Sequence, residues 1–211
     1  MNQQPAGPLP SDAPQADPAA LRIDLYVLLA TLLANPPSAE TIRALAELTA
    51  LPGVPAPMSE ALEGLKRAAD ATDVLSVNRE YHALFIGMGR SELMPYASWY
   101  RDRMLMATPL ARLRSDLAVL DLRRRDNIFE PEDHAAALLE CMMLIIAESD
   151  AADPHQAEFF TAHLDPWLGR FFEDLSQAPS AGFYRSVGRL GVRFLEMEQH
   201  LLTTHAPINK E

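Results

Sequence analysis

Two stretches gather the residues best able to do chemistry. Residues 129–140, FEPEDHAAALLE, place Glu130, Glu132, Asp133 and His134 within a few positions of one another. Residues 87–100, GMGRSELMPYASWY, combine Gly87, Gly89, Pro95, Tyr96, Trp99 and Tyr100 with an Arg and a Glu. A carboxylate cluster with a histidine can hold a metal, run acid–base chemistry, or pair with arginine through charge-assisted hydrogen bonds. For a metal the spacing is poor, because neighbouring ligands on one helical turn point in different directions. None of the six histidines sits in an i, i+4 pair around a Glu, and the lone Cys141 excludes a cysteine-based zinc framework. Nucleophilic catalysis lacks its G-x-S-x-G elbow. GMGRSE resembles a phosphate loop only superficially, without the G-x-x-x-x-G-K-[ST] spacing or a preceding strand. The sequence therefore predicts no catalytic residue, no metal and no cofactor, and it holds no recognisable nucleotide motif.

Two readings of each stretch stay open on local chemistry. FEPEDH suits a helix start, with Pro131 at the first helical position and three acids favouring the positive end of the dipole by about 0.3–1 kcal/mol each. It equally suits an exposed acidic mouth for arginine. His134 in a first helical turn opposes the dipole when protonated, so its pKa is predicted to be lowered unless the acids compensate. Tyr96, Trp99 and Tyr100 are the amphipathic rings of a recognition surface, or rings plugged into the core. Cys141 reads as a buried small hydrophobe rather than a nucleophile.

The elements that must position these residues are helices. Leu21, Leu25, Leu28, Leu29 and Leu32 recur at steps of three and four, one buried stripe that NPP at 35–37 ends. Ser38 is a predicted N-cap for the next helix. After the linker LPGVPAP at 51–57, helices are predicted over about 58–71 and 73–86. Thr108 as N-cap with Pro109 behind it opens another. Residues 135–147 are apolar nearly all round, which predicts a central helix covered on every side. DPHQAEFFTAHLDPWLGRFFEDLSQ and AGFYRSVGRLGVRFLEMEQHLLT complete the set. With no period-2 strand and no repeat, the fold class is all-α: one bundle of roughly eight to ten helices.

Composition narrows the partners. The 211-residue chain carries 18 basic against 29 acidic residues, a net charge of -11, which argues against a nucleic-acid binder and favours cationic partners. The longest apolar run, 135–147, falls short of the ~20 residues of a spanning helix, so no stable membrane insertion is expected. Residues 1–20, with five prolines, lack the basic and apolar regions of a secretory signal and read as a disordered tail before a domain at 21–205 and a flexible 206–211. A cytoplasmic location follows as the expectation.

Four motifs in order, EYHALFIGMGRSELMPYASWY, FEPEDHAAALLE, HLDPWLGRFFEDL and FYRSVGRLGVRFLE, resemble the TorD/DmsD family of redox-enzyme maturation chaperones over about residues 21–200. The E-P-x-D-H stretch is the most specific of them. The resemblance implies an all-helical, non-enzymatic cytoplasmic protein that binds the twin-arginine leader, and often the apo-form, of a molybdenum or tungsten oxidoreductase. It would hold the enzyme until cofactor insertion and so delay export, as a monomer or homodimer. Position by position, it implies a leader-binding surface of Tyr81, Leu84, Phe85, Pro95, Tyr96, Ser98, Tyr100 and Asp102 together with Glu130, Asp133 and His134. The carboxylates would take the arginine pair, and the aromatics with Pro95 the apolar part. His134 would orient Asp133 or bond a peptide carbonyl. Trp167 and Arg170 match family positions and read as mainly structural. GRSELMPYAS is more similar to members associated with formate dehydrogenases than to the TorD-like or DmsD-like loop, so a formate dehydrogenase stands beside DMSO/TMAO reductase-type clients. LRRRD at 122–126 is not an export signal, since no apolar core follows it. A helical adaptor without leader binding and a small hydrolase using His134 with Asp133 are the competing readings.

Overall fold

Helix α1 (Pro18–Ala34) starts where the Asp17 side chain accepts the Ala19 N–H, earlier than the predicted Leu21. A capping carboxylate followed by proline at the first helical position sets that boundary. The structure, a computed structural model, describes residues 17–49, 53–87, 91–105, 108–123, 130–150 and 153–204. The tail reading for 1–16, the reading of 206–211, Gly89 and most of the LRRRD arginines lie outside them.

The stripe of α1 is real but rotated. Leu25, Leu29 and Leu32 are buried, while Leu21 and Leu28 are half-buried and Arg22, Tyr26 and Leu33 take the inner positions. Further helices are α2 (Ala39–Ala46), capped by Ser38 as predicted, α3 (Ala56–Asp70), α4 (Val74–Tyr81), α5 (Ala97–Asp102), α6 (Thr108–Val119) and α7 (Ala135–Glu148). They continue with α8 (Pro154–Phe159), α9 (Leu168–Gln177) and α10 (Phe183–Thr204); π-helical turns follow α4 at His82–Ile86 and α8 at Phe160–Leu164. The described residues contain no strand, only one isolated antiparallel bridge between Tyr96 and His134. The expected all-α bundle is therefore what the chain forms.

Helix α7 packs chiefly on α1, and α10 lies against α9 and α3. Two glycines of the FYRSVGRLGVRF motif allow the α9–α10 approach: a Cβ on Gly191 would sit 2.3 Å from the Phe172 ring, and one on Gly188 would sit 2.6 Å from the Ser176 nitrogen. The core is continuous, running through Leu29, Leu84, Leu139, Phe171, Phe172, Tyr184 and Phe194.

Two expectations about α7 need correction. The helix is not covered on every side: Glu140, Leu144 (37% exposed) and Ala147 form an outward stripe, so its high apolar content overstates its burial. Nor does it start at Pro131. Its first residue is Ala135, because His134 is the N-cap.

Candidate functional site

The aromatic loop leaves α4 through the π-helical turn at His82–Ile86 and reverses at Gly87, whose φ of 65° is left-handed and suits a residue without a Cβ. Its return is pinned by the Leu93 N–H, which donates to the Leu84 carbonyl at 2.8 Å. It then meets the acidic turn backbone to backbone. The Ala135 N–H donates to the Pro95 carbonyl at 2.8 Å, and the Ala97 N–H to the Asp133 carbonyl at 3.0 Å. The two stretches read separately in the sequence thus share one two-bond bridge.

Side chains reinforce the seam. Asp133, 1% exposed, accepts the Ser98 N–H at 2.9 Å through Oδ2 and so caps the start of α5 from a distant part of the chain. Its Oδ1, and the hydroxyl of the fully buried Ser98, have no hydrogen-bond partner among the described residues. His134 Nδ1 accepts the Ala136 N–H at 3.1 Å, which puts the ring proton of the neutral form on Nε2. Burial lowers the His134 pKa to about 4, although the neighbouring Asp133 pulls it upward. The Tyr96 ring stands edge-on to His134 with centroids 5.1 Å apart, and the Tyr96 hydroxyl donates to the Glu130 carboxylate. Glu132 accepts from Arg114 on α6 at 2.9 Å.

Behind the seam lies an aromatic cluster. Phe85 stands between Tyr81 and Tyr184, with centroids at 5.0 and 5.4 Å, and Tyr100 packs on Trp167 at 5.5 Å and on Phe171 at 5.9 Å. The Tyr100 hydroxyl donates to Asp174 at 3.0 Å. Burial, then the nearby Glu130 charge, raises the Tyr81 pKa to about 12, which places Tyr81 within the electrostatic reach of the acidic turn.

The predicted residues accordingly divide into three groups by exposure. Glu130 and Asp102 are exposed; Phe85, Tyr96 and Tyr100 are half-buried. Tyr81, Leu84, Pro95, Ser98, Asp133 and His134 are buried. The exposed acidic mouth shrinks accordingly: Asp133 and His134 face inward, because each is spent capping a helix. Asp102 is the last residue of α5. Trp167 is structural as expected, its indole N–H donating to the His163 carbonyl at 2.8 Å, while Arg170 is exposed. Cys141 is half-buried rather than buried, and burial raises its thiol pKa to about 12. Among the described residues no three His, Cys, Asp or Glu side chains gather as a metal site would require.

Sequence reasoning missed Glu80, whose carboxylate caps α10, and the buried set Arg22, Gln156 and Glu198. One signal was available for Arg22: it lies four residues before Tyr26 on the face that carries Leu29 and Leu33 into the core.

Fold and seam together define an all-helical protein built around a loop–turn junction. The fold resembles that of a solved protein from Archaeoglobus fulgidus described as a redox enzyme maturation protein, with a TM-score of 0.58 at 16% identity, covering 88% of this chain and 98% of that one. The sequence model described as nitrate reductase delta subunit matches residues 51–173. The chain is 30% identical over 152 residues to chaperone protein TorD of Vibrio cholerae serotype O1, covering 67% of this chain and 69% of the relative. It is 29% identical over 154 residues to chaperone protein TorD of Aliivibrio fischeri, covering 68% and 71%. The chain belongs to the TorD family of redox-enzyme maturation chaperones, a non-enzymatic family. Among the described residues no helix is long and apolar enough to cross a membrane.

Proposed function

We propose that this chain is a cytoplasmic chaperone that binds the twin-arginine leader, and the apo-form, of a molybdenum or tungsten oxidoreductase, assisting cofactor insertion and delaying export. The observation that carries this reading is the seam, where an exposed carboxylate, Glu130, is held by Tyr96 at the junction of the aromatic loop and the acidic turn. Arginine presents a planar fork of donors suited to a carboxylate. The net charge of -11 steers such a cation inward. Half-buried Phe85 and Tyr96, with Ile86 59% exposed beside Phe85, offer apolar surface to the segment that follows the arginines. In this account Glu130, Tyr96 and Phe85 contact the leader. Asp133, His134 and Ser98 hold the seam that presents them.

The test is calorimetric titration with leaders of formate dehydrogenase and DMSO/TMAO reductase type, each paired with an Arg→Lys control. Binding at micromolar Kd or tighter, about -8 kcal/mol, weakened by the lysine swap and by Glu130→Gln, supports the reading and names the client. Equal binding of leader and lysine control supports the adaptor reading instead.

A further inference from the structure

Glu80, in α4 before the aromatic loop, and Glu92, within the loop, both reach the same turn far along the chain. Glu80 Oε1 accepts the Gly182 N–H at 2.8 Å and the Tyr184 N–H at 2.6 Å, while Oε2 accepts the Phe183 N–H at 3.0 Å. These are the opening donors of α10, which a helix leaves without intrahelical partners. A local Ser or Asp ordinarily serves one or two of them; here a carboxylate from α4 serves three. A Cβ on Gly182 would come within 3.2 Å of Glu80 Oε2, so the fit is close. On the return side of the loop, Glu92 Oε1 accepts the Ser180 N–H at 3.3 Å.

The same junction ties down α1. The Tyr81 hydroxyl donates to the Leu33 and Ala34 carbonyls at 3.1 Å, and the Tyr184 hydroxyl to the Leu32 carbonyl at 2.8 Å. The residues next to Glu80 and at the start of α10 therefore close the last carbonyls of α1. The segment before the aromatic loop and the loop's return are in this way both bonded to one turn, at residues 180–184.

We infer that Glu80 and Glu92 are positioning residues of the leader site: Glu80 ties the entry to the aromatic loop to the start of α10, Glu92 ties the loop's return to Ser180 just before it, and together they fix where Tyr96 meets the acidic turn. This rests on the leader-binding reading above. Both carboxylate oxygens of Glu80 accept, whereas a glutamine offers one acceptor oxygen and an NH2 donor. Glu80→Gln puts an NH2 group against one set of N–H donors, and the clamp opens.

Amide hydrogen exchange on the free full-length protein, followed by leader titration, tests the inference. In Glu80→Gln, exchange should rise at least tenfold at Phe183 and Tyr184 and also at Leu93 and Tyr96, with Leu29 and Leu139 unchanged. Glu92→Gln should show a smaller rise at Leu93 and Tyr96. The wild-type leader Kd should weaken about tenfold in Glu80→Gln and severalfold in Glu92→Gln. Faster exchange confined to 182–184 would overturn the inference, as would a uniform rise through the core, which marks general destabilisation. Should Glu80→Gln fail to fold, the Glu92→Gln pattern decides alone. Failure of wild-type protein to bind any leader removes the leader reading. The exchange at Leu93 and Tyr96 still decides whether the glutamates hold the loop.

Discussion

Between α1 and α10, Arg22 gives Nε and Nη2 to the two oxygens of Glu198 at 2.7 and 2.8 Å, and Nη1 to Gln156 at 2.8 Å. The Tyr26 hydroxyl adds another bond to Glu198 at 2.8 Å. Between the aromatic loop and the acidic turn, Asp133 is buried almost as deeply as the fully buried Glu198, yet one of its oxygens and the adjoining Ser98 hydroxyl have no partner among the described residues. The first region joins the two ends of the described chain and closes its hydrogen-bonding account. The second carries an unmet group of the kind that costs about 1–3 kcal/mol when buried. The half-paired Asp133 lies in the region that presents Glu130 and Tyr96.

Several substitutions put that contrast under strain. The largest effect is expected from Glu198→Ala, which strands Arg22 in the core and should cost about 3–5 kcal/mol in denaturant-derived stability. Asp133→Ala removes the α5 cap and should cost about 1–3 kcal/mol. Asp133→Asn, which keeps an acceptor for Ser98, should cost less. If the Asp133→Ala cost matched that of Glu198→Ala, the two regions would be structurally equivalent and the contrast would fail.

The acidic turn also has a pH signature. His134 titrates at about 4 in the folded protein, against an ordinary value of ~6.5. Between these values the unfolded chain binds the extra proton, so stability rises with pH across this window and is lost as pH falls through it, by up to about 3 kcal/mol. Asparagine is a good N-cap without that proton. His134→Asn should therefore flatten the stability profile between pH 4 and 6.5, leaving a residual slope from His163, whose pKa burial also lowers. The smallest effect is expected from Arg114→Ala, which removes the partly exposed pair with Glu132 and should cost no more than about 1 kcal/mol by thermal unfolding.

Helices could be read from the sequence because their signals are local. Ser38 caps α2, NPP ends α1, and the apolar spacing of α9 and α10 is plain in the chain itself. The seam was legible only as two separate halves. FEPEDH looks like a helix start because proline and acids favour one. The helix begins at Ala135 instead because Asp133 is drawn to Ser98 and His134 to Ala136, and the Pro95–Ala97 backbone that pairs with the turn lies far off in sequence. Resemblance to the family suggested candidate residues but not their exposure, and Tyr81 and Asp133 among them are buried. Glu198 sits in EMEQH, which reads as a solvated run. Nothing local announces that Arg22 will meet it.

One experiment tests the central claim most directly: leader titration into wild-type, Glu130→Gln and Glu198→Gln proteins, with melting temperatures measured in parallel. Glu130→Gln is expected to weaken the leader about tenfold at unchanged melting temperature, while Glu198→Gln lowers the melting temperature and leaves affinity for the folded protein intact. Loss of binding in Glu198→Gln below its melting temperature, with Glu130→Gln binding as wild type, would contradict it.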